Sequence, residues 1–501
     1  DSRRYLRYDG LRQVAGEMRW FERLKSWWSK NYDAAKNDRL RGNWQPVGKL
    51  SAEDTDRPYR STLLYRARDL ERNNDIVESA IGGIIRNSIG ANGIIPQAHA
   101  TRANGKPNEK INDAIEELWR EWSRPEHCDA SGAQSFAEIQ SMILRRRIVD
   151  GEIFVRKIYR RGEKFPLKLQ VFEPDQLDMI KQGPRIYEGI EVDEYLRPVA
   201  YYFLPDVFES SGITGKSIRV PASEVIHLFN KKRPSQIHGL SELAIIMNRL
   251  KDTGEFLDAE LVAARIAACF ALFVTKANPS GFMGTGRSDF ETDSNGNSLK
   301  TIEPGMIEIL APGESIIEAK PNHPNTGASE FVGLQQRLSA AGLGQSYEML
   351  SRDLSKVSYS SVRQGHLEDR KAFEMFQRYL VTHLCVPVWE AFLTSSVLAG
   401  LIKIPDFERN KGRYIGARWI TPGWQWVDPL KEVNASTQAL LIGASTLEEI
   451  CGQKGLDWQE VLRQRARELE YAAALGINLN TEPGKEVNDV EDEPEEEQGQ
   501  T

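Results

Sequence analysis

The sequence predicts an α+β protein of several units, with helical segments flanking and interrupting two β-leaning regions. Three observations predict it. From Ser235 to Asn278 the chain runs forty-four residues without a proline, and small or apolar residues recur at alternating steps of three and four. Between Asp150-Gly151 and Phe229, short β-branched and aromatic runs alternate with Gly, Pro and Asp turns. Helical periodicity holds on both sides of that stretch. With 501 residues and 40% hydrophobic content, the chain has apolar material for about two to four packed units without disulfides.

Composition narrows the function classes. Cys128, Cys269, Cys385 and Cys451 are far apart and include no C-x-x-C pair, so they read as inert core thiols in a reducing compartment. No stretch reaches the apolar length of a membrane span; even Leu257–Val274 carries Asp258, Glu260 and Arg265. The expectation is a soluble protein with no membrane partner. The first residue is Asp1, so the expectation is a start that was processed or is not represented. The formal net charge is −7, unevenly spread. Residues 1–54 read as a basic, aromatic arm that docks on a neighbour, whereas Glu486 to Thr501 holds eight acidic residues and no basic one. That acidic tail, 477–501, has almost no apolar surface to offset its ordering entropy and is expected to be disordered.

The elements follow in order. Residues 61–89 read as one helix, with Leu63, Leu64, Ala67, Leu70, Ile76, Val77, Ile81, Ile84 and Ile85 on its apolar positions and Gly90 at its end. From Pro107 to Ile148 the pattern is again helical, with Trp119 and Trp122 spaced to pack on one side. Strands are expected at 153–159, 167–172, 186–192, 199–204 and 218–229. Leu240, Leu243, Met247, Leu250, Gly254, Leu257, Leu261, Ala264, Ala268 and Ala271 then line one face of a long strut over 235–276, which at 1.5 Å per residue could span roughly 50–60 Å. Two ordinary core helices broken near Gly254 are the alternative. A second β-leaning region from Ala277 to about Ala328 holds strand candidates at Met306–Leu310 and Ser315–Ala319. Helices follow at 329–350 and 359–401, the second kinked by Pro387, with a polar break at 351–358. Trp419 to Trp426 reads as a Trp-rich turn, and Asp457-x-x-Glu460 as a capping box for a helix to about Ala474.

Several motifs invite chemistry. Ser210 to Ser217 is one residue short of a phosphate loop, but Ser210 replaces the first Gly and Ile218-Arg219-Val220-Pro221 reads as strand, where the chemistry needs a helix N-terminus. His127-Cys128-Asp129, with His99, lacks any zinc spacing. Asp150-Gly151-Glu152 and Glu173-Pro174-Asp175 offer carboxylates at strand ends with no His or Lys locally placed beside them. No catalytic residue, metal or cofactor is expected, and the protein is read as no enzyme. The break containing Arg352, Leu354, Ser355 and Lys356 differs in kind. Small hydroxyls and sparse cations suit transient contact with phosphates; an ordinary solvated loop is the alternative.

A set of stretches then resembles one family, the lambda-type portal proteins of tailed bacteriophages. They are Tyr32 to Ala35, Arg66 to Asn74, Gly151 to Phe154, Glu173 to Leu177, Val220 to Phe229, Arg233-Pro234 with His238 to Ser241, Asp353 to Ser355 with Tyr359 to Arg363, and Pro422 to Trp424 with Val427 to Pro429. The resemblance covers most of 30–475. It implies a homo-oligomeric ring, typically of twelve subunits, at one capsid vertex of the virion, made in the bacterial host cytoplasm. It implies double-stranded DNA passing through the channel and docking of the terminase large subunit, then of a head-completion or adaptor protein. The major capsid protein and scaffold are the remaining partners. The portal fold maps as a β-rich wing at 55–234, stem helix 235–276, clip 277–328, second stem helix 329–349, tunnel loop 350–360, long helix and wing return 361–429, and crown 430–476. Arg352, Leu354, Ser355 and Lys356 become the DNA-facing residues. Twelve copies would carry about −84, so the conduit mostly repels DNA and cations are confined to a few rings. An ATP-dependent DNA-processing enzyme using the 210–217 loop, or another phage ring or adaptor component, is the competing reading.

Overall fold

The computed structural model describes residues 48–204, 216–268, 272–276, 291–292, 298–299, 314–318, 327–355, 358–424 and 429–476. Most of the arm expected at 1–54, the core of the 210–217 loop, the strand candidate Met306–Leu310, Lys356 and the acidic tail lie outside the described residues. Two units are distinguished, Asp1–Thr55 and Asp56–Thr501. In the first, the Ser51 hydroxyl accepts from the Asp54 amide at 3.1 Å. The second carries the fold.

The class is α+β. The helix expected over 61–89 is two helices, α1 (Arg60–Asn73) and α2 (Asp75–Ser88). Asn74 parts them: its backbone is extended, and its side chain accepts from the Val77 amide, so the second helix starts on its own cap. After β1 (Ile95–Ala98), the helical stretch expected at 107–148 is likewise divided into α3 (Glu109–Trp122), a short turn at Pro125–Cys128, and α4 (Phe136–Val149), which opens on a Ser135–Glu138 capping box.

The β-rich stretch forms two sheets. Strands β2 (Glu152–Tyr159) and β3 (Leu167–Phe172) begin it; β4 (Ile186–Tyr187), β5 (Ile190–Val192), β6 (Pro198–Phe203), β7 (Ile218–Pro221) and β8 (Val225–Phe229) follow. The expected strands at 186–192 and 218–229 are each split, the second by a 3₁₀ turn at Ala222–Glu224. One sheet has order β3-β2-β8 and the other β4-β5-β6-β7, antiparallel throughout. Phe154, Phe172, Tyr201, Phe203 and Val225 form one buried cluster between them.

The strut expected over 235–276 is a shorter helix, α5 (Met247–Ala268), about 33 Å long at 1.5 Å per residue, followed by β9 (Leu272–Lys276). Residues 238–245 are withheld from it because they are bonded elsewhere: the Ser241 hydroxyl accepts from the Leu243 amide, and Glu242–Ile245 is a 3₁₀ turn. The helix runs through Gly254 without a break, where an added Cβ would meet open space. Strands β10 (Glu291–Thr292) and β11 (Ser298–Leu299) pair, and β12 (Glu314–Glu318), close to the predicted Ser315–Ala319, pairs with β9.

Next come α6 (Ala328–Leu343), ended by Gly344 at φ +68, and the short α7 (Tyr347–Ser351). The long helix then has two parts, α8 (Tyr359–Leu380) and α9 (Val386–Leu398), joined by a π turn at Val381–Cys385. That turn immediately precedes Pro387, whose missing N–H and bulky ring disturb the ladder there. Residues 363–398 are long and apolar enough for a membrane span by composition, but Leu380, Leu384, Val388, Trp389, Phe392 and Leu393 are core residues. The expected Trp-rich turn is in part a strand: β13 (Ala417–Ile420) pairs with β1, Ile95 opposite Ile420. Finally α10 (Pro429–Leu441), α11 (Leu447–Gln453) and α12 (Trp458–Ala474) close the chain. Asp457 caps α12 by accepting from the Gln459 and Glu460 amides, without the reciprocal half of the expected box; Glu460 instead faces Arg120 at 3.6 Å.

The main core joins α1 to α4 with β2, β8 and α9. Trp119 is its centre, with ring centroids 4.8 Å from Trp122, 5.2 Å from Trp389 and 5.1 Å from Phe392. The indoles of Trp122 and Trp389 are satisfied, Trp122 donating to the Leu167 carbonyl and Trp389 to that of Ile415, each at 2.9 Å.

Candidate functional site

The loop between α7 and α8 holds the residues the sequence singles out for DNA. Arg352 ends α7 in the left-handed conformation, at φ 57 and ψ 20, with its amide donating to the Glu348 carbonyl at 2.8 Å. Its guanidinium Nε donates to the Ser79 hydroxyl at 3.3 Å, and Ser79 donates on to the Leu350 carbonyl at 3.0 Å. Among the described residues no carboxylate pairs with Arg352. Leu354 is 58% exposed. Ser355 is exposed, and its amide and hydroxyl both donate to Asp353 Oδ1, at 3.0 and 2.6 Å. The loop therefore presents a positive charge, an apolar side chain and a hydroxyl to solvent, with its backbone tied back on itself.

A second constellation escaped the sequence reading. Asp150, Glu152, Glu173 and Asp175 were expected to have no His or Lys locally beside them, yet the fold brings up Arg68, His227 and His238 from distant segments. Arg68 on α1 forks to Asp150 (2.9 Å from both Nε and Nη2), to Glu173 (3.2 Å) and to Asp175 (2.5 Å). Burial works against the charge of Arg68, but the hydrogen bonds and charges of Asp150 and Asp175 more than offset it and raise its pKa. Glu152 lies between two histidines, with His227 Nε2 and His238 Nδ1 each 2.9 Å from a carboxylate oxygen, and accepts from the Gly239 amide at 2.9 Å. Burial alone would raise Glu152; the charge of His238 and the hydrogen bonds of both rings hold its carboxyl well below the usual range. Only strand pairing makes this visible, since β2 and β8 place Phe154 opposite His227 and Glu152 opposite Phe229.

Glu152 and its two histidines are enclosed. Glu152, His227 and His238 side chains are 1%, 4% and 0% exposed, and both Glu152 oxygens are engaged. The other motifs resolve into structure too. Cys128 is buried, its Sγ facing the Ser123 and Gln134 carbonyls, and burial with the neighbouring Asp129 pushes its thiol up to about 12. Asp129 accepts from the Ser131 hydroxyl and from the Ser131, Ala133 and Gln134 amides, which makes it the organiser of that loop. After Lys216-Ser217 the chain enters β7, paired to β6 with Ile218 opposite Phe203, so the helix that a phosphate loop requires is replaced by a strand.

Comparison with known proteins adds an independent line. A family model described as phage portal protein, lambda family, matches residues 37–377. The probable portal protein of Halomonas phage phiHAP-1 is 28% identical over 461 residues, covering 90% of this chain and 88% of that protein. Portal protein B of Escherichia phage lambda is 22% identical, covering 82% of this chain and 84% of that protein. Among solved structures, the neck of a native gene transfer agent particle computed with C12 symmetry aligns with a TM-score of 0.43 at 13% identity, over 84% of this chain and 99% of that one.

Proposed function

The chain belongs to the lambda family of phage portal proteins, and from that premise we propose that about twelve copies close into a ring at one capsid vertex, through whose channel DNA is packaged and ejected. The observation that carries this reading is the family match over 37–377. In it the β-rich part and the helices before it are the wing, α5 and α6 the paired stem helices, the strands between them the clip, and α10 to α12 the crown. Terminase docks on the clip during packaging and a head-completion or adaptor protein afterwards; capsid protein and scaffold meet the outer face. The protein is a virion component made in the host cytoplasm, and its role is structural.

A single copy leaves apolar surface where a ring needs contact. Leu257, Leu261 and Val262 of α5 are 47%, 51% and 51% exposed, and Phe331, Leu334 and Leu338 of α6 are exposed as well. The α7–α8 loop, with Arg352, Leu354, Ser355 and Lys356, is the DNA-facing tunnel loop. The competing nucleotide-dependent enzyme is disfavoured by the strand after Ser217. Electron-microscope class averages of the purified protein, with its solution mass, test the proposal. Rings of about twelve subunits with an open axial channel are expected. A compact particle that binds ATP would overturn it.

A further inference from the structure

Helix α5 leaves the β-rich part through one short segment, His238 to Glu242, and a single carboxylate grips it. Glu152, at the first position of β2, takes the His238 ring, the Gly239 amide and the His227 ring at 2.9 Å each. His238 Nε2 lies 3.0 Å from the Tyr187 carbonyl, so both of its ring nitrogens face oxygen atoms. Beside this grip Gly151 and Gly239 cross backbone to backbone. Ser241 Oγ lies 3.4 Å from the Ile148 carbonyl, and Arg147 lies 3.3 Å from Glu242. The root of α5 is therefore bound at successive residues to the junction of α4 and β2.

We infer that Glu152, acting through His227 and His238, is a protonation-sensitive latch that positions the root of α5, and that acid frees this root before it unfolds the sheets. The groups facing the latch include Glu152 from β2, His227 from β8, His238 from the root segment, the Glu188 carboxylate within 4.8 Å of the His238 ring, and Tyr201 from β6, whose phenol burial and the Glu152 charge push up. Glu188, next to Tyr187, is already held by Arg60 and Arg57. Phe154 and Phe229 stack on the two faces of the His227 ring, at 4.4 and 4.5 Å.

His227 carries the pH dependence. Burial lowers its pKa by more than Glu152 raises it, so the ring is neutral when folded at neutral pH. Below the ordinary histidine range near 6.5 the unfolded chain binds the extra proton more readily, and the stabilisation from neutral His227 is lost as pH falls from there toward the folded pKa. A proton on His227 also places a charge on a ring enclosed between Phe154 and Phe229. Glu152 itself stays charged through this window, because its carboxyl is held well below the usual range.

Any effect on a channel rests on the portal reading, but the latch does not, and the two fail separately. Hydrogen exchange on the full chain across a pH series, with rings counted by microscopy in the same samples, tests both. Protection at residues 238–246 is expected to fall by up to about tenfold per pH unit below the ordinary histidine range while β2 and β8 keep theirs. H227Q removes that pH dependence, and E152Q lowers protection of the root already at neutral pH. The latch is overturned if root and sheet lose protection together at every pH, or if the H227Q profile superimposes on the wild type. An E152Q chain too unstable to purify leaves the decision with those two profiles.

Discussion

The Gly239 backbone lies so close to Gly151 that a Cβ on Gly239 would stand 2.1 Å from the Gly151 carbonyl oxygen. The approach is reciprocal, since a Cβ on Gly151, at φ +93, would meet the Leu240 carbonyl carbon at 2.3 Å. Backbone cannot rotate aside as a side chain can. G239A and G151A are each expected to cost about 3 kcal/mol or more, read from the urea midpoint at constant m-value. G254A on exposed α5, where nothing lies within 4 Å, should instead gain about 1 kcal/mol. Equal effects at the three sites would contradict the crossing.

Arg68 is the second point of leverage. It is the main partner of Asp150, whose side chain is 0% exposed, while Arg146 contributes only a 3.4 Å contact. Removing Arg68 leaves that carboxylate under-compensated, so R68A should cost about 3 kcal/mol, somewhat less than a fully dry pair because Arg68 keeps a solvent-facing edge. R68K should recover less than half, because one ammonium cannot reproduce the fork to Asp150 and Asp175. Thermal unfolding of the three proteins at low and high salt is the check; equal midpoints for R68A and wild type would dismiss the role.

These two features mark the limit of what the sequence discloses. Period and turn chemistry located β2, β3 and β6 within a residue or two, because alternation and Gly-Asp punctuation are local. The packing of Trp119 on Trp122 was legible for the same reason. The break at Asn74 was not, because one Asn turning its side chain to the Val77 amide outweighs an uninterrupted apolar period. Nor was β13, whose partner β1 lies more than three hundred residues earlier. The Glu152 grip depends on three segments meeting through sheet register and a loop, so no spacing rule reaches it. Yet Arg66 to Asn74, Gly151 to Phe154, Glu173 to Leu177, Val220 to Phe229 and His238 to Ser241, all singled out for the family resemblance, meet at Arg68 and Glu152.

Thiol chemistry offers a simple check on the core. Burial raises the pKa of Cys128, Cys385 and Cys451, so little thiolate is present at neutral pH, and all three side chains are enclosed. A chromogenic disulfide reagent should label none of them in the native protein within minutes and all of them in denaturant, with peptide mapping to assign the sites. Rapid native labelling of Cys128 would show that the Ser123–Gln134 loop opens.

Arg352 combines a structural cost with a proposed role, and the two can be separated. A non-glycine residue in the left-handed conformation carries a penalty of about 1 kcal/mol, so R352G should stabilise the chain by roughly that amount while R352A should not. Both remove the guanidinium. If twelve copies form a ring and this loop faces DNA, each variant, and more so each combined with K356A, should yield several-fold fewer genome-filled heads in a packaging assay, because a conduit of net negative charge leans on the cations placed at the DNA. A conservative R352K should package near wild type. Loss of filled heads with R352A but not with R352G would assign the defect to helix termination and leave the charge without a role, and undiminished filling by the double variants would remove the loop from the DNA path.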